Sequence, residues 1–258
     1  MAAILLDVDG VLHVSGEPIP DAPETVDRLR AEGHRFRLVT NNTTRPRARL
    51  AEELRALGAS VEEEEIETTP LAAARRFAGS RVFPLCMPAV HADLARHVEL
   101  VDEGADIVLV GGADETEETG RVFAWERLNA AFRELRRGAR LACLHRNRWW
   151  QTSRGPLLDA GAYVAGLEYA ARVEAEIVGK PSGPFFEAAL AALGAEAGEA
   201  TMVGDDVEAD IGGAKRAGLR AVLVRTGKFS EEALAAADPA PDATLDSLAD
   251  LPDFLAGR

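Results

Sequence analysis

Asp7 and Asp9 stand two residues apart directly after the apolar run 3–6, and Asp205, Asp206 and Asp210 follow a second such run, Thr201-Met202-Val203. Thr40 closes a third run, Phe36-Arg37-Leu38-Val39, and Lys180 lies just past a stretch ending near Val178. Carboxylates, a hydroxyl and an ammonium are the groups phosphoryl transfer requires. It needs an in-line nucleophile, neutralisation of the phosphoryl oxygens and a proton for the leaving group. A carboxylate can itself attack, forming an aspartyl-phosphate that water later hydrolyses. In extended backbone Asp7 and Asp9 point the same way, so one can attack while the other handles the proton. Lys180 supplies a point positive charge, and the Thr40 hydroxyl with nearby backbone amides can donate to phosphate oxygens.

Five aspartates gathered at one edge concentrate negative charge, which is costly unless a cation compensates it or some carboxyls stay protonated. Magnesium is the natural compensator, a hard ion that takes a few carboxylates together with waters and substrate oxygens. The five histidines are scattered without zinc-like spacing.

The elements that must position these groups alternate. A strand at 3–6 is followed by a helical pattern with Ala22, Val26 and Leu29 on one face and Gly33 as its stop. A strand at 36–39 and a helix from about Arg47, with Leu50, Leu54 and Leu57 in register, come next. Near the C-terminal end the same alternation recurs: a strand ending near Val178, a helix at 184–193, a strand at 201–203, a helix at 208–217 and a strand at 221–224. Such β-α alternation predicts a parallel sheet with crossover helices, to which both ends of the chain contribute. Ligands of open parallel sheets bind beyond the carboxyl ends of the strands, where Asp7, Thr40, Lys180 and Asp205 are expected. Between the halves, about one hundred residues carry their own alternation, with strands at 107–110 and 141–144 around a helix at 123–137, enough for an inserted domain. The tract 62–65, four glutamates, reads as a solvated face, and 233–243 as a loosely held loop.

Composition narrows the function classes. A net charge of -14 repels a phosphate backbone, which argues against nucleic acid as partner. No apolar run approaches the length that spans a bilayer, and the first residues lack the basic region of a secretory signal, so a membrane partner is not expected. Cys86 and Cys143 lie far apart, and Cys143 sits in an apolar run; buried thiols in a reducing cytoplasm fit this usage.

Taken together, four motifs in order resemble the haloacid dehalogenase superfamily: Asp7-Val8-Asp9-Gly10-Val11-Leu12, Val39-Thr40-Asn41-Asn42, Gly179-Lys180-Pro181, and Gly204-Asp205-Asp206 through Asp210. The Thr-Asn-Asn form of the second motif, with a large insert before the third, is similar to class IIA, the nitrophenylphosphatase and NagD-type group. The resemblance covers nearly the whole chain. It implies an α/β fold: a Rossmann-like parallel-sheet core at 1–71 and 178–258, with an α/β cap of C2 type inserted at 72–177. Val8 and Val11 are mild departures from the pattern and leave its chemistry intact.

The resemblance further implies Asp7 as nucleophile and Asp9 as general acid and base. Magnesium would be held by Asp7, the Asp9 carbonyl and Asp205, and phosphate by Thr40, Asn41 and Lys180. Asp210 would support Lys180 or a metal-bound water, and Asp206 occupies a position that varies in the superfamily. Asp9 favours phosphatase over dehalogenase, because a halide leaving group needs no proton. Phosphomutases carry both carboxylates but have a helical cap after the first motif. The expected substrate is a small-molecule phosphate ester, admitted by opening and closing of the cap. Association of two copies through the cap, a homodimer, is also implied. Two other readings share this chemistry: a phospho-accepting receiver-like module, which needs about half this length, and a non-catalytic phosphate-binding protein, which all four surviving motif residues disfavour.

In the insert, Arg146-Asn147-Arg148-Trp149-Trp150 followed by Thr152, Ser153 and Arg154 either reads the leaving group or packs the cap core, aromatics being commonest in cores. His13, just after the first motif, is a further candidate for substrate contact.

Overall fold

In the computed structural model, which describes residues 1–152 and 155–257, the chain divides into two compact units. One comprises Met1–Thr40, Arg47–Glu67 and the stretch from Lys180 onward; the other comprises Asn41–Pro46 and Thr68–Gly179.

The first unit is built on a six-stranded sheet in the order Ala243–Leu245, Arg220–Val224, Ala200–Gly204, Ala3–Asp7, Arg35–Thr40, Ile66–Thr68. Ala3–Asp7 lies between Ala200–Gly204 and Arg35–Thr40 and is parallel to both, pairing Leu6 with Val203 and Leu38. All five of its residues are buried, as expected of a central strand covered on both faces. Helices Ala22–Ala31 and Arg47–Ala56 and the C-terminal helix Leu251–Ala256 enclose a core with Ile4, Leu6, Val26, Leu29, Leu38 and Leu54. Helix Gly183–Leu193 opens with proline in its first turn and ends on Gly194 in the left-handed conformation, start and stop signals both visible in sequence.

The second unit has a five-stranded parallel sheet in the order Glu176–Ile177, Arg140–Cys143, Ile107–Val110, Arg81–Leu85, Glu99–Leu100, and an antiparallel hairpin of Trp149–Thr152 with Gly155–Leu158. Helices Trp125–Arg137 and Ala160–Ala171 contribute Ala131, Leu135, Val164 and Leu167 to its apolar cluster, beside Phe83, Val108 and Leu141.

Three sequence expectations are corrected. The strand ending near Val178 was expected in the sheet shared by both chain ends, but Glu176–Ile177 pairs with Ala142 and Cys143 in the second unit's sheet. The backbone N–H groups of Val178 and Gly179 extend that pairing to the Cys143 and Leu144 carbonyls. Lys180 therefore does not follow a strand of the six-stranded sheet; it precedes helix Gly183–Leu193. The four glutamates at 62–65 are not merely solvated: Glu62 and Glu65 form a capping box, Glu65 bonds Arg30 and Glu63 bonds the buried Arg47. The stretch 233–243 is held at both ends, by helix Glu231–Ala235 and by the edge strand Ala243–Leu245.

Candidate active site

Asp7 ends the buried strand Ala3–Asp7, and the turn after it is fixed by the Leu12 and Val11 N–H groups, which donate to the Val8 carbonyl. Asp205 and Asp206 follow the neighbouring strand Ala200–Gly204, and Asp210 lies within the helical turn Val207–Gly212. The adjacency of the two central strands brings these acids together although about two hundred residues separate them. One oxygen from each of Asp7, Asp205 and Asp210 lies within 4.8 Å of the others, and all three residues are buried.

Lys180 is held between two of them. Its Nζ donates to Asp7 Oδ1 and to Asp210 Oδ1, both at 2.7 Å, and the lysine is itself buried. Burial opposes the ammonium's charge, but Asp210 and Asp7 together raise its pKa above the usual lysine value. Burial likewise pushes the Asp7 carboxyl up, against Lys180 and with help from Asp205 and Asp9. It drives Asp205 to about 6, opposed by the Lys228 N–H, and Asp210 to about 7, with Asp7 adding and Lys180 subtracting. The pocket thus holds three buried carboxyls against one buried ammonium, a charge set that favours a further cation.

Asp205 gives the sharpest test of such a cation. Its Oδ2 accepts the Lys228 N–H at 2.6 Å, while its Oδ1 is buried with no hydrogen-bond partner among the described residues. A buried carboxylate oxygen left unsatisfied is costly, and oxygen-only donors suit a hard divalent ion. Gly10, at φ +83°, is required here: a Cβ at that position would stand 1.9 Å from Asp205 Oδ2. The residues present therefore fit a divalent metal.

Asp9 differs from these three. Its side chain is 59% exposed, it accepts a hydrogen bond from the Thr40 hydroxyl at 3.3 Å, and the His13 ring lies 3.8 Å from it. Asp206 caps the turn that carries Asp210: its Oδ1 accepts the Glu208 and Ala209 N–H groups, and its own N–H donates to Asp210 Oδ2. The Ala209 N–H and Lys228 hold its carboxyl below the usual value, overcoming the opposing effect of burial. Asn41, one residue past Thr40, belongs to the second unit, where it accepts from Thr69.

Within that second unit, Asn41, Thr43, Arg45, His145, Asn147 and Trp150 line a cavity of about 290 Å³. The Trp150 indole N–H is buried there without a partner among the described residues. His145 contacts the Thr43 hydroxyl at 3.3 Å and lies 3.7 Å from Asp159, and its burial lowers its pKa against that carboxylate. Trp149 is 55% exposed, and neither tryptophan joins the apolar cluster, contrary to the core-packing alternative. Arg146 pairs with Glu168; Ser153 and Arg154 lie outside the described residues. Sequence reasoning missed Lys228, Thr43, His145 and Asp159. Lys228 alone carried a signal, its place just beyond the end of strand Arg220–Val224.

Residues 4–117 match the haloacid dehalogenase-like hydrolase family and residues 177–251 the HAD-hydrolase-like family. A phospholysine phosphohistidine inorganic pyrophosphate phosphatase from Xenopus laevis is 40% identical over 88% of this chain and 84% of the relative. Among solved structures, the p-nitrophenyl phosphatase from Archaeoglobus fulgidus superposes with a TM-score of 0.86 at 30% identity, covering 98% of both chains. NagD from E. coli K-12 gives 0.85 at 26% identity over 97% of this chain and 98% of its own.

Proposed function

This chain belongs to the haloacid dehalogenase-like hydrolases, and within that family we propose that it is a magnesium-dependent phosphatase that hydrolyses small phosphate monoesters through an aspartyl-phosphate on Asp7. The observation that carries the reading is the double hydrogen bond of Lys180 to Asp7 and Asp210 beside the unsatisfied oxygen of Asp205. It supplies an oriented nucleophile next to a cavity of negative charge that a cation and a phosphoryl group can share.

In the first half-reaction an Asp7 oxygen attacks phosphorus, the bond to the leaving oxygen breaks, and Asp9 gives that oxygen a proton. In the second, Asp9 takes a proton from water, which attacks the aspartyl-phosphate, releases inorganic phosphate and regenerates Asp7. The exposed Asp9 can exchange with solvent, and the Thr40 hydroxyl orients it. Lys180, with the Thr40 side chain, would hold phosphoryl oxygens, while Asp206 fixes the turn that places Asp210. Bound magnesium, held by Asp7, the Asp9 carbonyl and Asp205, would neutralise charge on the phosphoryl oxygens.

The relatives' names span a nitrophenyl ester and the phospholysine, phosphohistidine and pyrophosphate of the Xenopus enzyme. A substrate panel for this chain therefore includes P–N and P–O–P bonds beside simple esters. Among the described residues no helix is long and apolar enough to cross a membrane, and the two buried, unpaired cysteines support the cytoplasm as its compartment.

The test is steady-state hydrolysis of p-nitrophenyl phosphate with and without magnesium, for the native protein and Asp7→Asn. Metal-dependent turnover that disappears in the variant supports the mechanism. Turnover that survives Asp7→Asn, or that is indifferent to chelation, overturns it.

A further inference from the structure

Three adjacent strands of the six-stranded sheet, Ala3–Asp7, Ala200–Gly204 and Arg220–Val224, end at the same edge. Asp7 ends the first and the loop after it carries Asp9, and the loop after the second carries Asp205 and Asp206. The loop after the third contains Thr226, Gly227 and Lys228, which the mechanism above does not use. Yet this third loop bonds to both of the others. The Lys228 N–H donates to Asp205 Oδ2 at 2.6 Å, the Thr226 hydroxyl to the Gly10 carbonyl at 2.5 Å, and the Lys228 ammonium to Asp206 Oδ2 at 3.0 Å.

Gly227 makes this approach possible. It adopts φ +60°, and a Cβ there would stand 2.0 Å from Asp205 Oδ2 and 2.6 Å from the Gly10 Cα. The second of those contacts is with backbone, so no side-chain adjustment relieves it. Asp205 is consequently pinned. One oxygen is taken by a short, charge-assisted bond from a backbone donor that cannot rotate away, the other is buried and without a hydrogen-bond partner among the described residues, and the carboxylate offers an oxygen to the cluster with Asp7 and Asp210.

We infer that Thr226-Gly227-Lys228 is a clamp that positions the Asp205 carboxylate for a divalent cation, with the Lys228 backbone N–H as the holding group and Gly227 as the residue that lets it approach. The inference rests on the assignment of Asp205 as a metal ligand. These are positioning residues: they act through Asp205 and Gly10. A group that orients a metal ligand governs metal affinity more than the chemical step. The clamp therefore predicts a defect that excess metal repairs.

The experiment is calorimetric titration of Mg²⁺ into four proteins: native, Gly227→Ala, Thr226→Val and Gly218→Ala. Gly218 also has a left-handed φ, +85°, but its Cβ would meet nothing closer than the Ala197 Cβ at 3.6 Å, so that variant reports backbone strain alone. The expected result is a Mg²⁺ dissociation constant raised about tenfold or more in Gly227→Ala and by a smaller factor in Thr226→Val. Gly218→Ala should keep native affinity despite a lower melting temperature. Nitrophenyl phosphate hydrolysis by Gly227→Ala should recover most of its kcat at saturating Mg²⁺. If the native protein binds Mg²⁺ and Gly227→Ala binds it within about twofold, the clamp is wrong while the metal assignment stands. If the native protein takes up no Mg²⁺, the assignment of Asp205 falls and the clamp with it. Should Gly227→Ala not fold, Thr226→Val decides, and an unchanged dissociation constant overturns the clamp.

Discussion

The Lys180 ammonium lies 2.7 Å from the Asp7 carboxylate, and both groups are buried. A lysine in that position lowers the cost of an ionised carboxylate away from water, and the second carboxylate on the same ammonium, Asp210, keeps the lysine charged in turn. The lysine is thus the keystone: its loss strands two buried carboxyls, whereas loss of either carboxylate leaves the ammonium the other.

Removing the ammonium should therefore damage the fold as well as the reaction. Lys180→Met leaves Asp7 and Asp210 buried without their cation, a loss of about 3 kcal/mol for a broken buried pair. Denaturant unfolding of the metal-free proteins measures it. The additional change Asp210→Asn should restore part of the loss, because it removes one of the stranded charges. Additive destabilisation by the two changes would show that the pair is not coupled.

Asp7→Asn should reduce phosphatase turnover by about 10³-fold or more, because an amide cannot form the acyl-phosphate. Its melting temperature should stay close to native or rise, since the substitution removes a carboxyl whose pKa burial already pushes up. A large drop in both activity and melting temperature would place Asp7 in the structure rather than in the chemistry.

The pH dependence of stability has a definite sign. Asp205 and Asp210 titrate in the folded protein at about 6 and about 7, above the ordinary value of 3.8. Each binds its proton more tightly folded than unfolded, so its contribution is fully present below about pH 4 and is lost as pH rises through 6 and 7. In a chelator, the melting temperature should fall between pH 5 and pH 8, after allowance for the rest of the chain. Magnesium needs the Asp205 carboxyl deprotonated, so the stabilisation it adds should grow over that interval. A magnesium-induced shift that is larger at pH 5 than at pH 8 would contradict this.

Much of this arrangement was legible in the sequence because it depends on strand ends. Asp7, Thr40 and Asp205 follow apolar runs short enough to be strands, and a parallel sheet places such positions at one edge. Lys180 was found by its motif but for a different structural reason. Glu176–Ile177 is two residues long, and nothing local in so short a run says which of two sheets it will join; its partner, Arg140–Cys143, decides. Lys228 escaped notice because its bond to Asp205 is made by a backbone N–H, which every non-proline residue owns and no residue type advertises. The cavity around His145 and Trp150 escaped for a third reason: Thr43, His145 and Asp159 meet only through the tertiary packing of the second unit.

Asp9 offers the test that separates the two half-reactions. It lies 59% exposed with only Thr40 and His13 near its carboxylate among the described contacts, so Asp9→Asn should leave folding and metal binding nearly intact. With nitrophenyl phosphate the leaving phenolate needs little protonation, so attack by Asp7 should still proceed. Water attack on the aspartyl-phosphate, however, then lacks its base. The expected trace is a burst of about one equivalent of nitrophenolate per protein followed by turnover slowed about 10²-fold or more. With an alkyl phosphate, whose alkoxide must be protonated to leave, the same variant should show no burst. Rapid-mixing absorbance for the first substrate and phosphate release for the second make the comparison. Equal losses on both substrates without a burst would mean that Asp9 does not carry the proton.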